Sequence, residues 1–186
     1  MKNYLNNSID NIIIGLFALG LSVVVAPFIV LTIFSQPMVD DFCFAVSFRD
    51  VELFDFFGVV YDWYVGFTGI YSYVMAIGAV TTNFDLIGSY KYVSLLVFVG
   101  WIVTCFIFFK SIFIEVRSSV IAISSLAMFT LYLLTLPEVS DFYWMTSSLQ
   151  YQLGNVVAML VFACLIRIVT GRYQKFHIVG SGILLI

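Results

Sequence analysis

Long uncharged apolar runs, separated by short polar breaks, dominate the pattern of this chain. The first, Asn11–Phe34, contains no charged residue and is long enough to cross the hydrocarbon core of a bilayer at about 1.5 Å rise per residue. Three further runs of this kind are Tyr92–Phe109, Val120–Leu136 and Tyr151–Ile166. The pattern predicts an all-α fold, a polytopic bundle of membrane helices.

Two other runs are less regular. Trp63–Phe84 is interrupted by Gly66, Gly69 and Gly78, and the last run, Ile178–Ile186, is too short to span a bilayer. Counting all runs predicts about five to six membrane segments. Because the last run stops inside an element, we expect residues 1–186 to form a single transmembrane domain that is the N-terminal part of a larger protein.

Composition supports a membrane protein and excludes one class of partner. Hydrophobic residues make up 62% of the chain, charged residues 10%, and the mean hydropathy is +1.09. The net charge is −3, and the eight Lys and Arg residues form no basic run. Because nucleic-acid binding needs concentrated positive charge, no nucleic-acid partner is expected.

The cysteines and the lone histidine do not form a metal-binding pattern. Cys43, Cys105 and Cys164 show no paired spacing, and His177 has no partner carboxylate nearby in sequence. Cys105 and Cys164 lie within apolar runs and are predicted to be packing residues. No metal ligands and no cofactor are therefore predicted, and the role of a divalent cation stays open.

Basic residues predict the orientation of the chain in the membrane. Lys2, the pair Lys110 and Arg117, and the group that starts at Arg167 mark three regions expected in the cytoplasm. The segment from residue 36 to residue 62 holds six of the eleven acidic residues and one Arg. Residues 35–62 are therefore predicted to be an acidic, aromatic extracytoplasmic loop that contains a short interfacial helix.

This orientation requires an odd number of crossings between residue 62 and Lys110, where two apolar runs lie. The favoured interpretation is that the Gly-interrupted run at 63–84 is re-entrant or interfacial, because short Gly-broken segments tend to line protein cavities. One alternative is that the run at 63–84 forms a broken hairpin. The other is that the weak charge distribution does not report the true orientation. The favoured choice also places the loop at 137–150 outside, with Asp40 and Asp41.

Asp40 and Asp41 are the candidate catalytic residues. They follow the first predicted span and therefore emerge at a membrane surface. Adjacent carboxylates repel each other, which raises the proton affinity of at least one, and such a carboxylate can act as a general base. The alternative is that both residues only cap a surface helix and keep the loop in water.

Two aromatic segments are candidate binding regions. Pro137–Tyr151 combines two acids, four aromatic rings and several hydroxyl and amide side chains, a combination suited to holding a sugar. An interfacial belt of Trp and Tyr is the alternative. Tyr61–Ser72 is aromatic and Gly-rich, and its glycines permit a turn or a close approach to a ligand; a flexible helix entry is the alternative.

Taken in order, these segments resemble a known enzyme superfamily. The matching patterns are Val39-Asp40-Asp41-Phe42-Cys43, then Tyr61-x-x-Tyr64-x-x-Phe67-Thr68-Gly69, then Glu138-x-x-x-x-Tyr143-Trp144-x-Thr146-x-x-x-x-Tyr151-x-Leu153-Gly154. This order resembles the N-terminal portion of bacterial multi-pass GT-C glycosyltransferases, such as protein mannosyltransferases and lipid A aminoarabinose transferases. The resemblance covers residues 10 to about 175.

The resemblance implies an enzyme of the bacterial cytoplasmic membrane that moves a sugar, with inversion, from a polyprenyl-phosphate carrier to an envelope polysaccharide or glycolipid. The resemblance implies that Asp40 or Asp41 is the general base. The implied partners of the enzyme are membrane lipids, the lipid-linked sugar donor and the saccharide or glycolipid acceptor. The residues implied to bind substrate are Tyr64, Thr68, Gly69, Glu138, Tyr143, Trp144, Thr146 and Tyr151.

The chain departs from the family pattern at two positions. Ile70 stands where similar proteins often carry the Arg that would hold the carrier phosphate, and Ser147 stands where a Gly is expected. Two other functions therefore stay open. One is a transporter or flippase of a lipid-linked saccharide, and the other is a non-catalytic membrane protein fragment.

Overall fold

The computed structural model describes residues 2–68, 70–83, 86–138 and 140–171. Within these residues the chain is helical and contains no strand, which confirms the prediction of an all-α fold. The helices are α1 (Lys2–Thr32), α2 (Val39–Ser47), α3 (Leu53–Trp63), α4 (Tyr71–Asn83), α5 (Leu86–Ile112), α6 (Ser118–Thr135), α7 (Ser140–Tyr143), α8 (Met145–Ser147) and α9 (Leu153–Val169). Two π-helical turns, Tyr64–Thr68 and Ser148–Gln152, follow α3 and α8.

Four helical stretches are long and apolar enough to cross a membrane. They are Asn11–Thr32, Tyr90–Ile112, Ser118–Thr135 and Met145–Val169, with 22, 23, 18 and 25 residues. These stretches correspond to the four uninterrupted apolar runs of the sequence. They indicate a membrane protein, while the final predicted run at 178–186 lies outside the described residues.

The segment between the first two of these stretches folds into shorter helices. α2 has nine residues, α3 eleven and α4 thirteen, and about 20 are needed to span a bilayer. A short helix, α2, follows the first span, and a turn separates it from α3; its interfacial position stays a prediction. Asp50 lies in that turn with φ of 56°, a left-handed conformation that Asp tolerates better than most residues.

The chain divides into two compact units. Unit 1 contains the chain up to Ile29, Val99–Pro137 and the part that starts at Asn155. Inside it, the Trp101 ring stacks on Tyr132 at 4.7 Å, and Arg167 Nε donates a hydrogen bond to Ser111 Oγ at 2.9 Å. These contacts join α5 to α6 and to α9. Apolar side chains such as Leu131 and Phe162 remain exposed, as expected for surfaces that face lipid.

Unit 2 contains Val30–Phe98 and Glu138–Gly154. Its core is built from α2, α3, α4, the start of α5 and the segment around α8. The buried residues of this core are Phe44, Phe48, Val60, Tyr73, Val74, Ile77, Tyr90, Val93, Met145 and Leu149. Gly78 permits the tightest approach, because a Cβ atom there would lie 2.7 Å from the Phe48 ring.

Candidate functional site

Asp41 lies at the centre of a hydrogen-bonded junction in unit 2. Its side chain is fully buried, with 0% exposed. Oδ2 accepts hydrogen bonds from the Tyr90 hydroxyl and the Met38 backbone N–H, each at 2.8 Å. Oδ1 accepts from the Thr146 backbone N–H at 3.0 Å and from the Thr146 hydroxyl at 2.6 Å. We call Asp41 with these donors the Asp41 junction.

Two of the four donors of the Asp41 junction are backbone N–H groups that helix starts leave without partners. The first N–H groups of a helix have no carbonyl within the helix to bind. The Asp41 carboxylate accepts hydrogen bonds from the Met38 N–H at the start of its own helix and from the Thr146 N–H at the start of α8. The Tyr90 hydroxyl also accepts the Met145 N–H at 2.8 Å. The junction therefore stabilises the starts of two helices at once.

This arrangement leaves Asp41 little capacity for chemistry on a ligand. A carboxylate offers about four acceptor positions, and four donors occupy those of Asp41. A buried charge needs such hydrogen bonds to offset the cost of leaving water. Asp41 therefore has the surroundings of a structural residue that holds α2, α5 and α8 together.

Asp40 lies in a different environment, although it is the preceding residue. It is only half-buried and lines a cleft of about 290 Å³ within unit 2. The other lining residues are Phe44, Phe67, Tyr73, Trp144, Thr146, Ser147, Gln150 and Tyr151. We call this the Asp40 cleft. It brings together Asp40 from α2 and residues of the Trp144–Tyr151 region.

The walls of the Asp40 cleft are mainly aromatic. Phe44 and Tyr73 are buried and pack edge to face at 5.8 Å, and Phe44 also contacts Trp63 at 4.3 Å. Tyr151 and Phe67 are exposed on the outer part of the cleft. Rigid aromatic faces beside hydroxyl and amide groups suit a sugar ring, which has both C–H faces and hydroxyls.

Trp144, which lines the cleft, also carries a buried polar atom. Its indole Nε1 is buried and has no hydrogen-bond partner in the described part of the chain. Buried donors are nearly always satisfied by protein, water or a ligand.

Not all residues implied by the resemblance line the Asp40 cleft. Glu138 is exposed, and its carboxylate accepts a hydrogen bond from the Ser140 hydroxyl at 3.4 Å. Tyr64 is exposed, with its ring 6.0 Å from Tyr71. Tyr143 packs on Phe98, at 6.0 Å between rings, and burial raises the pKa of its hydroxyl to about 12.

Gly69 and Thr68 are two further residues that the resemblance implies for substrate binding. Gly69 and the side chain of Thr68 lie outside what the structure describes. Their predicted role in binding stays a prediction. Ile70, which stands where similar proteins often carry Arg, is exposed.

The sequence patterns missed Tyr90, which is central to the Asp41 junction. Tyr90 precedes a long apolar run, where a tyrosine is typical of the membrane interface. It lies 49 residues from Asp41 in sequence, so no local spacing connects the two. Gln150 and Ser147 belong to the predicted hydroxyl and amide cluster, and only the fold identifies them as cleft residues.

Among the described residues, no group of three or more His, Cys, Asp or Glu side chains is arranged to hold a metal ion. Comparisons of the chain with protein-family models, with curated proteins and with solved structures give no match.

Proposed function

We propose that this chain belongs to a membrane glycosyltransferase of GT-C type and contains its substrate-binding cleft. It would transfer a sugar from a polyprenyl-phosphate carrier to an envelope polysaccharide or glycolipid, with Asp40 as the general base. The observation that carries the proposal is the half-buried Asp40 carboxylate in an aromatic cleft. Asp41, the other candidate base, already accepts four hydrogen bonds.

In the proposed reaction, Asp40 removes the proton from an acceptor hydroxyl. The acceptor oxygen attacks the anomeric carbon and forms the new glycosidic bond. The bond from that carbon to the phosphate oxygen breaks, and its electron pair leaves with polyprenyl phosphate. One carboxylate on the attacking side is sufficient, because phosphate leaves without protonation by a second acid.

The remainder of the cleft supplies binding groups for such a substrate. Phe67, Trp144 and Tyr151 offer aromatic surface, and Gln150 and Ser147 offer polar atoms. The Ser147 hydroxyl donates to Asp141 Oδ1 at 2.9 Å, which orients its oxygen as an acceptor. A volume of about 290 Å³ is near the lower end for small-molecule sites and fits one sugar ring.

The order of candidate spans supports an extracytoplasmic cleft. If the four spans cross alternately, residues 33–89 and 136–144 emerge on one side, and residues 113–117 on the other. The link on that other side lies between Lys110 and Arg117, and the fourth span has Arg167 near its end. Basic residues favour the cytoplasm, so the cleft would face outward.

The experiment that tests the reaction uses membranes that contain the protein. They are supplied with a panel of polyprenyl-phosphate sugars, and the release of free polyprenyl phosphate is measured together with sugar incorporation into membrane glycans. We expect Asp40→Asn to lower the rate by about 10²–10⁴-fold, the usual contribution of a general base.

Asp55→Asn is the matched control, because Asp55 is an exposed carboxylate on α3. It should keep the wild-type rate at equal protein level. A wild-type rate in Asp40→Asn would refute Asp40 as the base. Movement of an intact labelled donor across the membrane without release of polyprenyl phosphate would favour a transporter instead.

Cys43 provides a separate test of the outward orientation. Its side chain is exposed on α2, whereas Cys105 is buried. An impermeant thiol reagent added to intact cells should label Cys43. Glu115→Cys, at an exposed position in the opposite link, should be labelled only after the cells are opened. The reverse pattern would contradict the proposed site of reaction.

A further inference from the structure

A second cavity in unit 2 has a composition unlike that of the Asp40 cleft. Its volume is about 450 Å³. The lining residues are Ile33, Phe34, Ser35, Gln36, Pro37, Phe42, Ile87 and Lys91. Five of them are apolar, two are neutral and polar, and Lys91 alone is charged. We call this the Lys91 cavity.

Lys91 forms no ion pair with any carboxylate among the described residues. Its ammonium group lies 5.2 Å from the centre of the Tyr92 ring, and the side chain is half-buried. Arg49, the other basic residue of unit 2, is exposed and lies 3.9 Å from the Asp50 carboxylate. The Lys91 cavity therefore offers a positive charge that no described acidic side chain neutralises.

The Lys91 cavity lies where two candidate spans end. Residues 33–37 directly follow the stretch Asn11–Thr32, and Lys91 is the second residue of the stretch Tyr90–Ile112. Residues at the ends of membrane spans lie at the depth of lipid headgroups. An ammonium group at that depth can meet a lipid phosphate, and the apolar residues beside it can meet the adjoining lipid chain.

The Lys91 cavity and the Asp40 cleft involve opposite faces of α2. Phe42 lines the Lys91 cavity, whereas Asp40 and Phe44 line the cleft. Because successive helix residues are about 100° apart, Phe42 is about 160° from either of them. A ligand in one site would leave the other free.

We propose that the Lys91 cavity binds the phosphate headgroup of an anionic membrane lipid. The Lys91 ammonium group pairs with the phosphate, and the exposed Gln36 amide donates a hydrogen bond to it. The apolar side chains contact the first carbons of the lipid chains. A free phosphate ion would gain nothing from these apolar walls, so the lipid fits the whole lining better. The proposal requires that this chain lies in a membrane, and it is independent of the transferase proposal.

The test uses the full chain, purified in mild detergent with equal amounts of phosphatidylglycerol and phosphatidylcholine. Native mass spectrometry then counts the lipids that remain bound. We expect the wild-type protein to retain phosphatidylglycerol preferentially. Lys91→Gln should weaken this preference about fivefold, the effect of one lysine near an anionic membrane surface, and Lys91→Arg should retain it.

Lys110→Gln is the matched control for loss of a positive charge. The Lys110 ammonium group donates to the carbonyls of Ile114 and Val116, at 2.9 and 2.8 Å. This variant should keep the preference. Ile87→Glu is a second test that leaves Lys91 in place, because Ile87 is exposed and a carboxylate there would repel the lipid. It should also reduce phosphatidylglycerol retention.

Three results would overturn the proposal. One is equal retention of the two lipids by the wild-type protein. Another is an equal loss of preference in Lys91→Gln and Lys110→Gln. The third is displacement of the lipid by inorganic phosphate, which would identify the cavity as a site for free phosphate.

Discussion

The Asp41 junction and the Asp40 cleft are neighbouring regions of one unit, and they use adjacent carboxylates in opposite ways. Asp41 is fully buried and accepts four hydrogen bonds. Asp40 is half-buried and borders an open cleft. A single helix turns the two side chains about 100° apart. Adjacent acids in a sequence motif can therefore carry separate tasks, one structural and one available to a ligand.

The physical difference is in the donors that surround each group. Taking a carboxylate out of water is costly unless hydrogen bonds replace those to water. Two segments that are distant in sequence, the start of α5 and the start of α8, supply three of these bonds to Asp41, and the start of its own helix, α2, supplies the fourth. The comparison can be tested by substitutions that should affect either reaction rate or stability.

The largest expected effect is on reaction rate. Asp40→Asn should lower sugar transfer by about 10²–10⁴-fold and leave the free energy of unfolding within about 0.5 kcal/mol of wild type, as for most surface substitutions. Transfer is measured as release of polyprenyl phosphate, and unfolding is followed by circular dichroism in mild detergent. A large loss of stability in Asp40→Asn would show that the two regions do not differ as described.

The next effect is on stability. Asp41→Asn replaces one acceptor oxygen by an amide NH₂, which then faces two donors. We expect a loss of about 3 kcal/mol in the free energy of unfolding, since each buried group left without a partner costs about 1–3 kcal/mol. Asp40→Asn is the matched control in the same unfolding experiment. An unchanged unfolding curve for Asp41→Asn would contradict the role assigned to the junction.

Tyr90→Phe should have a smaller effect on the same measurement. It removes the hydroxyl that donates to Asp41 and accepts from the Met145 N–H. A loss of about 2 kcal/mol is expected, because one buried donor loses its acceptor. Tyr92→Phe is the control, since Tyr92 is exposed and lies two residues further along α5. Equal losses in the two variants would mean that the Tyr90 hydroxyl contributes nothing specific.

Thr146→Val should have the smallest effect, about 1 kcal/mol. It removes the hydroxyl donor to Asp41 and keeps the backbone donor of the same residue. Thr146→Ser restores the hydroxyl and should recover most of the stability. An unchanged free energy of unfolding in Thr146→Val, which keeps the methyl group and loses only the hydroxyl, would contradict a contribution of this hydrogen bond.

Much of the helical layout was predictable from the sequence. The run Val120–Leu136 predicted the span Ser118–Thr135 almost to its ends, and Tyr92–Phe109 predicted the central part of α5. The Gly-interrupted run at 63–84 contains the last residue of α3, a π-helical turn and α4, and its re-entrant or interfacial placement stays a prediction. The uninterrupted apolar runs predict these spans because apolar length is a local property of the chain.

The candidate site was predictable only in part. The motif order pointed to Asp40, Trp144, Thr146 and Tyr151, which line one cleft. It also pointed to Glu138 and Tyr64, which do not. It could not distinguish Asp40 from Asp41 as the candidate base, because that distinction depends on donors from other segments.

The sequence by itself determined that the chain is helical and apolar enough to span a membrane, and where its acidic and aromatic side chains are concentrated. Hydropathy is a sum over neighbouring residues, so no contact is needed to compute it. Only the tertiary structure decided that Asp41 is buried and that Asp40 borders a cleft. Tyr90 and Thr146 are 49 and 105 residues from Asp41, and folding alone brings their hydroxyls within hydrogen-bonding distance of its carboxylate.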